Sequence, residues 1–271
     1  MNFPTKKIFR IIFSKFVLSK RIHDKPIEIK ESASNLPKDF NETNYLILNP
    51  DVKSQGLDPR EHYLHFGYAE SRPYKFGEFL KGKQIFHKNK KTCLVVVHDF
   101  ALTGSPLLAL AVTKKLNTHL NVVILSLVKE GKLKDLFVEN SSAVFCVSAL
   151  FDDYQVSEGI IKTLNDEFEF DFSIVNSASA NNILFGLSKY NIPTVTLIHE
   201  FAQTTESKKV SKCLELSDVC VFSTKSTLDA GLKELGHEPN SKIFVQTQGK
   251  ITHSEVLGDL NFVTTSETSF E

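Results

Sequence analysis

The sequence predicts an α/β protein built on a doubly wound parallel sheet, as a single Rossmann-like domain. Three observations predict it. First, seven short runs rich in β-branched residues follow one another: 94–100 (LVVVHDF), 122–126 (VVILS), 143–148 (AVFCVS), 172–177 (FSIVNS), 194–200 (TVTLIHE), 219–224 (VCVFST) and 242–247 (KIFVQT). They are apolar throughout rather than alternating, as strands buried on both faces are. Second, segments with helical spacing separate them, at 105–116, 132–139, 155–168, 178–190, 207–216 and 226–235. Third, nearly every run ends in a polar residue where the next helix begins. Ligands of such sheets bind beyond the carboxyl ends of the strands. His98, Asp99, Asn176, His199 and Glu200 are therefore expected where a site should be.

Bulk properties narrow the class. The 271 residues suffice for one large or two ordinary domains with a real core. Net charge is zero, so no bulk attraction to nucleic acid is expected. Cys93, Cys146, Cys213 and Cys220 form no Cys-x-x-Cys or Cys/His cluster. They read as reduced core cysteines of a cytoplasmic protein, with no metal and no cofactor expected.

The organisation begins with a basic amphipathic helix at 1–22. Lys6, Lys7, Arg10, Ser14 and Arg21 share one side, and Ile8, Phe9, Ile12, Phe13 and Phe16 the other. Its apolar stretch is interrupted by Lys15 and is far shorter than the roughly 20 residues that span a bilayer. No small-residue cleavage site follows, which argues against a secretory signal. Such a helix suits the interface of an anionic membrane, on its inner face, or a seat on the protein's own surface, and the stretch also fits a frayed tail. Residues 23–38 read as a charged linker with Pro26 and Pro37. A small helical hairpin is expected at 39–76. Asn41 caps its first helix, Asn49-Pro50-Asp51 stops it, Gly56 breaks the next segment, and Asp58-Pro59 starts a second helix that Gly67 ends. Tyr63 and Phe66 supply an aromatic seam, on a unit too small to hold a core alone. A basic connector (81–91) leads into the α/β domain at 92–250, and a tail (251–271) follows that is polar and expected to be disordered from Gly258 onward.

Chemistry is expected in three loops. The first is His98 to Pro106, where Ser105 reads as a cap, Pro106 lies in the first turn and Gly104 permits close backbone approach. The exposed amides of that helix start favour an anion such as phosphate. This is neither a P-loop nor Gly-x-Gly-x-x-Gly, and it also fits a plain strand–helix turn. The second is His199-Glu200. The imidazole there fits a group that meets a sugar hydroxyl or a developing charge, or half of a solvated capping pair. The third is Asn176, Ser177 and Ser179, where N-capping alone would account for the residue types.

Two resemblances add to this. The pattern Tyr-Leu-x-x-Asn-Pro-Asp-Val … Gly-x-Asp-Pro-x-Glu-His-Tyr-Leu-x-x-Gly-x-x-Glu-x-Arg, over 45–72, resembles a module that often precedes bacterial polysaccharide glycosyltransferases. Its residues read as caps, turns and a hydrophobic seam, with no chemistry of their own. The segments 95–116, 131–137, 172–201 and 217–236 resemble the N-terminal half of two-domain GT-B glycosyltransferases of the large retaining family 4. The order of strand, Asn-Ser, helix, Asn-Ile-Pro, strand and His-Glu is the most specific part. The resemblance implies that Thr103, Gly104 and Ser105 touch donor phosphates or acceptor, and that His199 contacts the transferred sugar. Asn176, Glu200 and Asp99 would complete the substrate-binding set. Such enzymes hold the nucleotide-sugar mainly in a second domain, which carries a Glu-x7-Glu pattern. No such pair follows the last predicted strand here.

Two functions are therefore expected to compete. One is an acceptor-side glycosyltransferase half, for surface polysaccharide synthesis, truncated or completed by a donor-domain partner subunit. Its partners would be a nucleotide-sugar donor, a glycan or lipid-linked acceptor and an anionic membrane surface. The other is a non-catalytic binding or scaffold protein on the same fold. A hydrolase is disfavoured by the lack of a Gly-x-Ser-x-Gly elbow, and a dinucleotide enzyme by the lack of the glycine fingerprint.

Overall fold

The structure is a computed structural model that describes residues 35–147, 153–201 and 207–247. The basic helix expected at 1–22, most of the linker expected at 23–38 and the tail expected at 251–271 lie outside the described residues. Eight strands form one sheet: β1 (Gly77–Lys81), β2 (Thr92–Val97), β3 (Asn121–Ser126), β4 (Ala143–Val147), β5 (Phe172–Asn176), β6 (Thr194–Ile198), β7 (Val219–Phe222) and β8 (Lys242–Val245). Their order is β1-β4-β3-β2-β5-β6-β7-β8. The seven predicted runs are β2 to β8, and every pairing among them is parallel. β1 was not expected. It pairs antiparallel with β4, and its sequence (GEFLK) is too short to show a period-two pattern. From β2 the chain winds outward through β3 and β4, then returns to β2's other side for β5. The switch point therefore lies between β2 and β5.

The module before the sheet is helical as expected, with its helices at Glu42–Leu48, Pro50–Ser54 and Pro59–His62. α1 (Glu42–Leu48) is capped by Asn41, whose side chain accepts from the Asn44 amide. Asn49-Pro50 ends α1 as expected, but Pro50 also starts α2 (Pro50–Ser54), since proline suits a first helical position. Asp58 caps α3 (Pro59–His62), accepting from the Arg60 and Glu61 amides, and the chain continues through one wide π-type turn to Gly67. The motif residues hold one another. The Asn49 side chain donates to the Tyr45 and Pro73 carbonyls at 2.8 and 2.9 Å. Arg72 donates to both oxygens of Asp51 at 2.8 and 2.7 Å and to Glu70 at 2.6 Å. The Tyr45 hydroxyl meets His62 Nδ1 at 2.9 Å in a buried contact. A Cβ on Gly67 would lie 2.3 Å from that hydroxyl, so only glycine fits. Burial pushes Tyr45 up to about 12 and holds His62 below its ordinary value. Only Tyr45, Val52 and Tyr63 form the module's own core, and Ile47 and Leu48 pack against the core of the sheet.

The sheet has a core on each face over its first half. On β2, Leu94 and Val96 point to one cluster, and Cys93, Val95 and Val97 to the other. β3 and β4 divide their residues in the same way. α4 (Gly104–Leu116) and α5 (Lys134–Glu139) cover the second face through Ala109, Leu110, Leu136 and Phe137. α6 (Tyr154–Phe168) covers the first with Val156, Ile160, Ile161 and Leu164, the one-sided spacing of an amphipathic helix. A 3-10 turn (Ala178–Ile183), α7 (Leu184–Lys189), α8 (Ser207–Leu216) and α9 (Lys225–Leu235) all place their buried residues on that same first face. Among the described residues, the second face is covered by helices over the first half of the sheet and is part-exposed over β6 to β8. β6 and β7 alternate buried with part-exposed residues, and on β8 Phe244 stands 56% exposed. All four cysteines are buried and free of disulfides.

Candidate functional site

The candidate site is the crevice at the switch point, where the ends of β2, β5 and β6 meet. β2 hands over to His98 and Asp99. Asp99 Oδ1 accepts from the Ala101 amide at 2.9 Å and Oδ2 lies 3.2 Å from His98 Nδ1, so this aspartate turns the loop. α4 then begins at Gly104. Its cap is Thr103, extended and without a side-chain capping bond, not Ser105 as expected. Ser105 lies inside the first turn because its hydroxyl serves another partner, donating across the crevice to the Asn176 carbonyl at 3.3 Å. Thr103 and Gly104 are exposed, and a Cβ on Gly104 would meet nothing within 4 Å.

β5 ends at Asn176, which is 1% exposed. Its side-chain amide donates to the Ser105 carbonyl at 2.8 Å and to the Ser105 hydroxyl oxygen at 2.9 Å. Its oxygen lies 3.4 Å from His199 Nε2. Because the amide nitrogen faces a carbonyl, the oxygen faces His199, and the imidazole proton is assigned to Nε2. Nδ1 is then the basic atom of the ring. Burial holds His199 below its ordinary value against the opposing charge of Glu200, so the ring is neutral at pH 7. The expected titration near neutrality is thus displaced downward.

Glu200 clamps the same corner. One carboxylate oxygen accepts from the Ser177 hydroxyl, and the other accepts from the His199 amide at 3.0 Å and the Ala178 amide at 3.3 Å. Ser177 holds this position at φ +129°, a region where a side chain is strained, and its hydroxyl also accepts from the Ser179 amide. A cleft of about 170 Å³ results, lined by His98, Asp99, Thr103, Ser105, Pro106, Asn176, Ser177, Ser179 and Glu200. His199 reaches it through Asn176.

The structure therefore brings Ser105, Asn176, His199 and Glu200 into one connected group, with Asp99 and Thr103 on the same cleft and Gly104 exposed at its rim. By residue type Ser177 and Ser179 read only as capping residues. Ser177's bond to Glu200 depends on a backbone angle that a serine does not announce, so residue type carried no signal for it. A larger groove of about 520 Å³ lies among α6, α7 and α8, lined by Tyr154, Phe185, Lys189 and Lys212 among others. It is lined from helices alone, with no strand end reaching it, so the smaller cleft is the better candidate. Among the described residues no cluster of three or more His, Cys, Asp or Glu could hold a metal ion, and no helix is long and apolar enough to cross a membrane.

Fold and site together define a Rossmann-like α/β domain with a polar crevice at its switch point. No family model matches the sequence, and no curated protein does. Solved structures resemble parts of its backbone. HepE from Anabaena, in complex with UDP and glucose, superposes with a TM-score of 0.48 at 13% identity, over 60% of this chain and 45% of its own. UDP-N-acetylglucosamine 2-epimerase from Rickettsia bellii gives 0.42 at 11% identity, over 59% and 45%. Sucrose-phosphate synthase from Thermosynechococcus elongatus gives 0.40 at 8% identity, over 62% and 93%. The chain thus spans less than half the length of the first two.

Proposed function

We propose that this chain is the acceptor-side half of a retaining GT-B glycosyltransferase of family 4, acting in surface polysaccharide synthesis. Its donor is a nucleotide-sugar and its acceptor a glycan or lipid-linked sugar. The observation that carries this reading is the hydrogen-bonded bridge from Ser105 through Asn176 to His199, which ties the start of α4 to the imidazole across one crevice. The first amides of α4, at Gly104 and Ser105 beyond Thr103, offer partial positive charge to a diphosphate. His199, neutral and with its proton on Nε2, serves the transferred sugar by hydrogen bonding rather than by charge. Glu200 and Asp99 fix the two loops. In the reaction, the anomeric carbon breaks its bond to the phosphate oxygen and bonds to the acceptor oxygen, whose proton passes to the departing diphosphate. A donor-binding domain, on the same polypeptide or on a partner subunit, closes the cleft, since transfer needs both reactants in one geometry. The basic stretch at 1–22 holds the protein to the cytoplasmic face of an anionic membrane.

The test follows the amide resonances of Ser105 and Asn176 during titration with UDP-glucose, alongside calorimetry. Saturable shifts confined to the switch-point loops support the reading, and a flat titration at millimolar ligand counts against it. The second reading, a non-catalytic binding protein, is favoured by the engagement of both Glu200 oxygens within the fold. Saturable binding without turnover, in the presence of a donor-binding domain, selects it.

A further inference from the structure

The basic connector between β1 and β2 plays no part in the crevice. It runs KGKQIFHKNKK over 81–91, with five lysines and no carboxylate, in a chain whose net charge is zero. It is nonetheless firmly held. Asn121, buried at 1% exposure, accepts from the His87 amide at 2.9 Å and donates to the His87 and Lys90 carbonyls at 2.8 and 3.1 Å. The Lys83 and Gln84 amides donate to the Val138 and Ser141 carbonyls. This anchored backbone turns apolar side chains outward: Ile85 is 75% exposed and Phe86 38%. Phe86 continues into a ledge of rings, meeting Phe168 at 5.8 Å, which meets Phe79 at 5.9 Å, and Phe79 is itself 47% exposed on β1.

The charges around this ledge are unequal. Glu139 pairs with Lys83, Asp166 with Lys162, and Asp171 accepts from the Thr92 amide. Glu167 and Glu169 flank Phe168 in sequence, against exposed Lys81, Lys88, Lys90 and Lys91. A protruding apolar tip ringed by lysines is the arrangement that an anionic bilayer accepts without shape complementarity: the tip enters the headgroup region and the lysines meet lipid phosphates. A protein partner would need roughly 800 Å² of matched surface on this side, whereas the apolar part here is a narrow knob.

We propose that the β1–β2 loop is a membrane-contact surface for an anionic bilayer, with Ile85 and Phe86 as the inserted tip and Lys81, Lys88, Lys90 and Lys91 as the headgroup contacts. This goes beyond the sugar-transfer reading and stands whether or not the cleft transfers sugars. The loop lies at the amino-terminal ends of the parallel strands, opposite the crevice. A bilayer seated there leaves the crevice open to solvent and favours a glycan end over a bilayer-level sugar as acceptor.

The test is sedimentation of the full chain with vesicles of phosphatidylcholine alone or with phosphatidylglycerol, at two salt concentrations. Ile85→Ser removes the tip at a site where the fold has little to lose. The triple variant Lys88→Gln, Lys90→Gln, Lys91→Gln removes charge from exposed positions. Binding is expected only with the anionic lipid, falling with salt, and the triple variant should partition on the order of 100-fold less, at about fivefold per lysine. Circular dichroism confirms that both variants remain folded. Equal sedimentation of wild type and both variants would overturn the proposal. So would a soluble dimer that Ile85→Ser dissolves, which would make the ledge a contact between copies. Loss of binding to a soluble polyanion, with vesicle binding unchanged, would also overturn it.

Discussion

Asn176 joins the two sides of the crevice with one side chain, engaging Ser105 on α4 and His199 after β6 while almost fully buried. Asn176→Ala leaves the Ser105 carbonyl without this donor, and a cost of about 1–3 kcal/mol is expected in urea unfolding. A change below that range would show that the bridge is replaced by water. On the proposed function, His199→Ala, at a half-buried position, should leave the fold intact and lower transfer on the order of 100-fold in the complex with a donor-binding domain. Unchanged turnover would remove His199 from the site. At this scale the sequence was legible where residue type and position coincide: polar side chains at strand ends. It was illegible where function depends on orientation. The residue type of Ser105 suggested a cap, yet its hydroxyl faces Asn176. Ser177 looked ordinary, yet it sits in strained backbone beneath Glu200.

Among the elements, the strands were legible because continuous apolar runs have few alternatives in a chain of alternating periods, and α8 begins and ends at its predicted residues. The segment 178–190 was expected to be one helix. It starts instead as a 3-10 turn, whose first amides, at Ala178 and Ser179, donate to Glu200 and to the Ser177 hydroxyl. Local chemistry sets the stability of the module. Asp58→Ala removes two bonds to the start of α3 and should cost about 1 kcal/mol, read as a lower urea midpoint. Gly186 allows α7 to touch α6: its amide donates to the Ser157 hydroxyl at 2.8 Å, and a Cβ there would lie 2.5 Å from the Ser157 carbonyl oxygen. Gly186→Ala should therefore destabilise by about 1–3 kcal/mol through forced backbone movement. A neutral result would mean that the two helices separate freely.

Across the molecule, His62 in the module and His199 at the crevice share one electrostatic property. Burial holds both below the ordinary histidine value of 6.5, with Arg72 adding to the effect at His62 and Glu200 opposing it at His199. The folded state thus prefers the neutral rings. Their contribution to stability is present above pH 6.5 and is lost as pH falls below it. The carboxylates act lower. Lys75 lowers Asp39 and Lys129 lowers Glu78 through hydrogen bonds, while at Asp51 burial raises the value and Arg72 outweighs it. Their losses begin as pH falls into the ordinary carboxylate range, below the histidine window. The urea midpoint should therefore fall between pH 7 and pH 5, and His62→Gln with His199→Gln should flatten that fall. A midpoint independent of pH over this window would contradict the assignment. Deleting residues 1–21 should reduce sedimentation with anionic vesicles, and equal sedimentation of both forms would end the reading of that stretch as a membrane helix.

By itself the sequence determined the period of each element, the parallel sheet and the set of polar residues at strand ends, because these follow from patterning and local steric preference along a few consecutive residues. Tertiary structure alone decided which of those residues meet. The reversal of strand order at β2 put Ser105, Asn176 and His199 at one point, and the same winding placed the later helices on a single face. It also drew the β1–β2 connector into an anchored loop, through a buried asparagine thirty-odd residues away in the chain. Contacts between distant residues depend on how the elements pack, and no window of neighbouring residues contains that information.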